Sequence, residues 1–596
     1  IVMTSSVREQ IYSIRFVHAI NFLFEYFTMF KSSFGKFGPL IGIIYVGNTH
    51  CKFLIFSTKN AEILTFHEIK LRHIVHHAGW LEFDPVEIWN FSQRCIEAAY
   101  RNLVILEINA QDLVAVGICT QRGWNDYRSV SILKTLLTNV KGNINYLKHK
   151  SGLPLSTCFC ALKIKWLLDT VPAVDKAIKS DCCLFGTMDS WILWNLTGGT
   201  ESGVHSIDVT NAGYTLLMNV ITLQWEPRLC NFFRIPMSIL PCIQSNSEVY
   251  GFVIDGPLNG IPVACCIGEQ PAALLGQLCT KVGCSVCTID ESCFILLNTG
   301  TEMVESDCGL LTSIAYKLGP KERVCYALEG AISNAGSSVT WLKKGLDIST
   351  EVIQNVNVAE TLSSVLGENS MISPSCSSAI LNAECGLALK RSEITFVPAF
   401  NGLYSPYWRY DARGIILGLT NQTTAENITQ SAFEATGFQI REVIEAFKRD
   451  TPNWDRSNNK ESLIVGGEFA EDNLFVQYVT DILGCLVERP QTTSAPCLGA
   501  MIATGISMDV VTLIIFFYLI FVSINALGRE LLYKRWDYAV QKCLSWNNYE
   551  TYDADLELFA QREWDPNLAI RRSIPGSIFL TTTFILLLLA KVIHKT

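Results

Sequence analysis

The sequence predicts an α/β fold in two related halves with a cleft between them, on three observations. Pro39 to Phe56 reads as two apolar strands around a tight turn at Gly47-Asn48-Thr49. Far downstream, apolar runs around Val286 and over Cys293 to Leu297, joined at Asp290-Glu291-Ser292, repeat that strand–turn–strand pattern. Strand-like runs also alternate with Pro85 to Ile108, whose apolar positions recur at helical spacing. In a duplicated fold each turn offers backbone N–H groups to a phosphate. The same residues are also compatible with two unrelated hairpins.

In chain order, residues 1–37 form an N-terminal extension. Within it Ile11 to Phe30 is apolar but broken by Arg15, His18 and Glu25, at most a weak targeting segment. Leu113 to Cys119 reads as a buried strand, and T-Q-R-G-W-N-D-Y-R follows from Thr120 to Arg128. Polar and aromatic residues just past a strand end either line a small polar ligand site or form an ordinary surface loop. Ser156 or Thr157 is placed to cap a helix running to Asp169. Ile261 to Ile267 is a strand that breaks at Gly268, and a small-residue helix follows over Gln270 to Gln277. Glu269 therefore stands at a strand's carboxyl end and a helix mouth, where a carboxylate is a general base or a cap.

Bulk properties narrow the class. A chain of 596 residues is long enough for two or three domains. Hydrophobic residues make up 49 % and mean hydropathy is +0.25, so part of the apolar sequence is expected in lipid. Net charge −9 and a pI near 5.6 give no electrostatic case for nucleic acid. The 22 cysteines include one C-x-x-C (Cys284, Cys287) and no second pair at zinc spacing. Without a secretory signal they are expected as free thiols, with no metal site among them.

Longer phrases carry a resemblance. They are L-F-G-T-M-D-S-W-I-L-W-N-L-T-G-G (Leu184 to Gly199), H-S-I-D-V-T-N-A-G-Y-T (His205 to Thr215) and G-L-L-T-S-I-A-Y-K-L-G (Gly309 to Gly319). Y-A-L-E-G (Tyr326 to Gly330), F-V-P-A-F-N-G-L-Y-S-P-Y-W-R-Y-D-A-R-G-I-I-L-G-L-T (Phe396 to Thr420) and A-F-E-A-T-G-F-Q-I-R-E (Ala432 to Glu442) join them. Together they resemble glycerol kinase, in the sugar-kinase family built on the actin-like, ribonuclease-H-like duplicated fold. The likeness covers about Gly38 to Gly505 and resumes at Leu531 to Trp546.

The resemblance implies two ribonuclease-H-like domains, at 38–282 on the glycerol side and 283–550 on the nucleotide side, with ATP, Mg²⁺ and glycerol meeting between them. Gly268-Glu269-Gln270 stands where the family has G-D-Q, making Glu269 the expected base, with one methylene more than aspartate, and Gln270 a glycerol contact. Arg122, Trp124 and Phe294 match the family's glycerol-binding arginine and its two aromatic walls. Gly123 replaces a glutamate and Cys158 a tyrosine. On the phosphate side the resemblance implies Gly47, Asn48, Thr49 and Lys52 in the first turn, Glu291 in the second, and Gly336, Gly466 and Gly467 near the nucleotide. Either Asp472 or Asn473 takes the place of a family asparagine. Tyr45 replaces the aspartate that serves magnesium, leaving no metal ligand to name, and Asp290-Glu291-Ser292 replaces G-T-G.

Two larger departures stand out. A hairpin-sized segment of the family is missing after Gly123, and an apolar run, Val510 to Leu527, interrupts family-like sequence; it is long enough for a minimal bilayer span but is expected as an insertion from splicing or gene assembly. In the tail (551–596), Ile578 to Ala590 is unbroken apolar and threonine sequence with basic flanks, expected as an anchor over 577–593. Some glycerol kinases dock on the mitochondrial outer membrane through such a segment. The expected function is ATP-dependent phosphorylation of glycerol to glycerol 3-phosphate, in the cytoplasm or tail-anchored there. The alternative is an impaired relative that binds nucleotide or a partner at a membrane. Expected partners are glycerol and ATP, with self-association and membrane attachment as further expectations.

Overall fold

The computed structural model describes residues 34–77, 79–123, 126–349, 394–452, 462–490, 494–510, 517–520, 522 and 526–544. Two mixed sheets organise them. The first holds β1 (Leu40–Val46), β2 (His50–Ser57), β3 (Ile63–Lys70), β4 (Leu113–Thr120), β5 (Ser247–Phe252) and β6 (Pro262–Gly268), in the order β3-β2-β1-β4-β6-β5. The second holds β7 (Ser285–Ile289), β8 (Cys293–Gly300), β9 (Leu311–Tyr316), β10 (Cys325–Ile332), β11 (Ser462–Gly466), β12 (Leu486–Pro490) and β13 (Phe517–Ile520). Its order is β9-β10-β8-β7-β11-β12-β13. In each sheet a hairpin, β1–β2 or β7–β8, extends antiparallel on one side. On the other side it gains two parallel strands and an antiparallel edge strand. This shared order is the duplication that the two tight turns suggest.

The helices that bear on the site are α1 (Pro85–Ile105), α2 (Glu269–Gly276), α3 (Gly336–Gly345), α4 (Ala425–Asp450), α5 (Asn473–Leu483), α6 (Ala495–Ser507) and α7 (Ala526–Leu544). Asp84 starts α1 by accepting from Val86 N at 2.8 Å, with proline pre-set for the first turn. Ile88, Cys95, Ile96, Ala99 and Leu103 of α1 then bury against one face of the first sheet. Its other face is covered by α6, where Leu498 and Met501 pack on Ile41 and Ile43. Coverage on both faces explains why β1, β4 and β6 are apolar along almost their whole length.

The α6 helix also crosses α2 at backbone contact. A Cβ at Gly499 would lie 1.8 Å from the Ala272 carbonyl oxygen, so only glycine permits this approach. Thus a helix late in the chain fastens the first sheet to the helix that begins with Glu269.

Several local expectations are corrected. The helix expected to start at Ser156 or Thr157 runs from Cys160 to Thr170 with no side-chain cap. Ser156 Oγ instead accepts from Cys158 N at 3.3 Å. Cys279 and Cys284, expected as free thiols, form a disulfide in the short link between α2 and β7. Within the apolar run, Phe517–Ile520 is an edge strand, with Phe517 opposite Pro490. Its peptide groups are paired by β12, and α7 then buries Trp536, Ala539, Val540 and Cys543 beside Val397 and Phe438. Among the described residues no helix is long and apolar enough to cross a membrane. The expected anchor at 577–593 and most of the N-terminal extension lie outside the described residues.

Candidate active site

Parallel pairing fixes where the acidic centre forms. Tyr45 is paired with Cys119, and Cys119 with Ile267, so β1, β4 and β6 end together and deliver Tyr45, Arg122 and Glu269 to one rim. At β6 the chain turns into α2, and the Gly268 N–H donates to Thr210 Oγ1 at 2.9 Å. The Tyr45 hydroxyl donates to Glu269 Oε1.

Opposite this rim stands the second turn. Asp290 N donates to Ser292 O at 2.8 Å, closing the β7–β8 hairpin tightly. The Asp290 carbonyl accepts from Gly336 N at 3.0 Å at the start of α3, and its carboxylate accepts from Glu468 N at 2.7 Å. Gly467 makes that approach possible. Its φ is +100°, and a Cβ there would lie 2.4 Å from the Ile289 carbonyl oxygen. The Gly466-Gly467 turn, Gly336 and the Asp290-Glu291-Ser292 turn therefore form one group. Asn48 Nδ2 of the first turn donates to Glu291 Oε2 at 2.6 Å, joining the turns of the two sheets. In the first turn, Gly47 N donates to His50 O at 3.0 Å and the Thr49 carbonyl accepts from Leu71 N at 2.8 Å.

Electrostatics in this group follow from burial without a matching cation. Burial, then the Asp290 charge, push the Glu269 carboxyl up to about 7, against the Tyr45 hydrogen bond and Arg122, which pull it down. Asp290 is pushed up to about 6 by burial and by Glu468 and Glu291, opposed by the Glu468 N–H and Lys52. Burial and the Glu269 charge hold Tyr45 well above the ordinary phenol value, so it stays protonated and donates. Lys52 is paired at 2.7 Å with Glu68, its register partner on β3.

A second group lies beside this one. Arg122 is buried, and its Nη2 donates to Glu329 Oε1 at 2.8 Å across to the second sheet. Its guanidinium stands 3.7 Å from the centroid of the Tyr214 ring. Gln270 and Phe294 are also buried, Phe294 in one apolar cluster with Tyr214 and Cys158. Lys163 Nζ donates to the carbonyls of Gly123 and Cys158, two glycerol-side positions where the resemblance fails. Trp124 lies outside the described residues.

Asp472 and Asn473, between which the sequence does not choose, both have local duties. Asp472 caps α5 by accepting from Leu474 N at 2.9 Å, and Asn473 Oδ1 accepts from Arg489 Nη1 at 2.8 Å. Sequence reasoning missed Tyr214, Lys163 and Glu329 as site residues. Only Glu329 had a usable signal, an acid in the otherwise small and apolar phrase Y-A-L-E-G.

Comparison with known proteins places the chain in a family. Residues 40–123 and 122–276 match the N-terminal domain, and 285–508 the C-terminal domain, of the FGGY family of carbohydrate kinases. The chain belongs to that family. The N-terminal match falls in two pieces that meet at Arg122-Gly123. A glycerol kinase of Brucella anthropi is 35 % identical over 85 % of this chain and 99 % of its own length. One from Arabidopsis thaliana is 36 % identical over 79 % and 90 %. Among solved structures, Plasmodium falciparum glycerol kinase with ADP matches with a TM-score of 0.69 at 27 % identity, over 86 % of this chain and 99 % of that one.

Proposed function

We propose that the protein is an ATP-dependent kinase that phosphorylates glycerol to glycerol 3-phosphate. The observation that carries this reading is the placement of Glu269. It is a partly buried carboxyl near neutrality at the common strand ends, beside the Arg122 group and facing the turns of the two sheets. The relatives described as glycerol kinases support the same substrate. In this reading a terminal hydroxyl oxygen attacks the γ-phosphorus of ATP and the bond to the ADP oxygen breaks. Glu269 takes the hydroxyl proton and Tyr45 orients the accepting carboxylate. Arg122 and Gln270 hold hydroxyls, while Phe294 and Trp124 wall the carbon chain. Gly47, Asn48 and Thr49 face the phosphates, with Lys52 nearby as a cation. Gly336, Gly466 and Gly467 serve the nucleotide side, and either Asp472 or Asn473 its edge. The glycerol-side domain spans 38–282 and the nucleotide-side domain 283–550.

Magnesium fits the donor set in a limited way. Among the described residues no group of three or more His, Cys, Asp or Glu is set to hold a metal ion. An ion carried on nucleotide phosphates needs only one or two carboxylates, and Asp290 and Glu291 supply hard oxygens on the phosphate turn. Those residues would hold it, and it would neutralise phosphate charge. The tail over 577–593 is proposed as a membrane anchor, supported by its basic flanks. Deleting it should release the protein from the membrane fraction, and unchanged fractionation would oppose that reading.

Incubation with glycerol and ATP labelled in the γ-phosphate tests the main proposal. Label in glycerol 3-phosphate supports it. Label found only in inorganic phosphate, or left in ATP, refutes it.

A further inference from the structure

The buried ion pair beside Phe294 holds an acceptor that none of the described residues satisfies. Glu329 is fully buried on β10, and only its Oε1 is engaged, by Arg122. Its Oε2 has no hydrogen-bond partner among the described residues. The Gln270 side-chain oxygen, on a residue 5 % exposed, has none either. A buried acceptor left unmade is costly, so two of them, on the expected substrate contact Gln270 and on the ion-pair partner of Arg122, point to a ligand that brings donors.

Geometry gathers these groups. Glu329 pairs with Leu296 and Ala331 with Phe294, so alternation places Glu329 and Phe294 on one face of the second sheet. Arg122 reaches that face from the first sheet, and a Cβ built at Gly268, two residues before Gln270, would lie 3.5 Å from Arg122 Cδ. The Arg122 charge already neutralises Glu329. The free oxygen is thus a hydrogen-bond acceptor and not a site for a second cation.

We infer that Glu329 is a specificity-determining residue of the polyol pocket, its Oε2 accepting an O–H from a glycerol hydroxyl. In this chain it supplies the carboxylate that Gly123 lacks. The inference rests on the proposed glycerol kinase activity. A site built to accept a hydroxyl discriminates strongly against ligands without it, because the buried acceptor then stays unpaired. Glu329→Gln keeps an oxygen for Arg122 but can turn the free acceptor into an N–H donor.

The experiment is calorimetric binding of glycerol, propane-1,2-diol and propane-1,3-diol to the unmodified protein and to Glu329→Gln, with thermal melts of both. Unmodified protein should bind glycerol at least about 10-fold more tightly than one of the diols. The variant should lose about 10- to 100-fold for glycerol and little for that diol, so the preference collapses. Equal losses for all three ligands would mean that Glu329 only positions Arg122, and would overturn the inference, as would no loss. If the variant does not fold, equal binding of glycerol and both diols to the unmodified protein overturns it instead. Absence of glycerol binding to the unmodified protein would overturn the functional reading together with this inference, which separates the two failures.

Discussion

The Tyr45 hydroxyl donates a hydrogen bond to Glu269 Oε1, coupling two departures that look independent in sequence. An aspartate is replaced by a longer phenol at one strand end, and another by a carboxylate one methylene longer two strands away. The structure shows the two longer side chains meeting.

That contact sets a pH dependence. Glu269 is held near 7, so the base is charged and competent above that pH, and kcat/KM for glycerol should rise with pH and level off above about 7. Tyr45→Phe removes an interaction that favours the charged form. Its rising limb should move upward by about one pH unit, since a hydrogen bond to a charged group is worth roughly that much. An unmoved limb would mean that Tyr45 does not act on Glu269.

The same shift affects stability with a definite sign. The folded Glu269 carboxyl titrates near 7 against an ordinary 4.5, so the folded state binds more protons than the unfolded state between those values. Stability therefore falls as pH rises through that window and stays lowered above it. Glu269→Gln should melt at higher temperature than the unmodified protein at pH 8, with the difference vanishing near pH 4. Melting curves at the two pH values check this.

Restoring the second phosphate turn should favour nucleotide. Asp290 and Glu291 present carboxylates where phosphates are to bind, and like charges at that range repel. The triple change Asp290→Gly, Glu291→Thr, Ser292→Gly should tighten binding of metal-free ATP by about 10-fold, equivalent to ~1.4 kcal/mol, and shrink the gain from adding magnesium. Unchanged binding of metal-free ATP would contradict the repulsion.

Much of this was legible in the chain. The two hairpins, the strand ending at Gly268 and the position of Glu269 at a helix mouth follow from local pattern, because the period-two and small-residue signals are strong there. What was not legible depends on contacts between distant segments. Tyr45 reads as the loss of a metal carboxylate until β4 brings it beside Glu269. Glu329 reads as one acid in a buried strand until Arg122 arrives from the other sheet. Hydropathy alone does not assign the apolar run over Val510 to Leu527, because an edge strand on β12 and a bilayer helix draw on the same residues.

The Arg122–Glu329 pair predicts strong coupling. Arg122→Met alone strands a buried carboxylate and should cost about 3–5 kcal/mol in urea unfolding. Adding Glu329→Met should recover most of that loss, because no unpaired charge remains buried. Additive losses would contradict the pairing.

Helix crossing at Gly499 is equally specific. Alanine there meets the Ala272 carbonyl, so Gly499→Ala should destabilise by roughly 1–3 kcal/mol as an overpacked contact. It should also slow turnover, since α2 carries Glu269 at its first residue. Unchanged melting and kinetics would mean that the helices can part freely.

The most direct measurement is rapid-quench formation of glycerol 3-phosphate in a single turnover at pH 8, unmodified protein beside Glu269→Gln. Transfer by the unmodified protein, slowed by about 10²- to 10⁴-fold in the variant, is the predicted result. Equal rates in the two proteins, or no transfer by either, would contradict Glu269 as the base of a glycerol kinase.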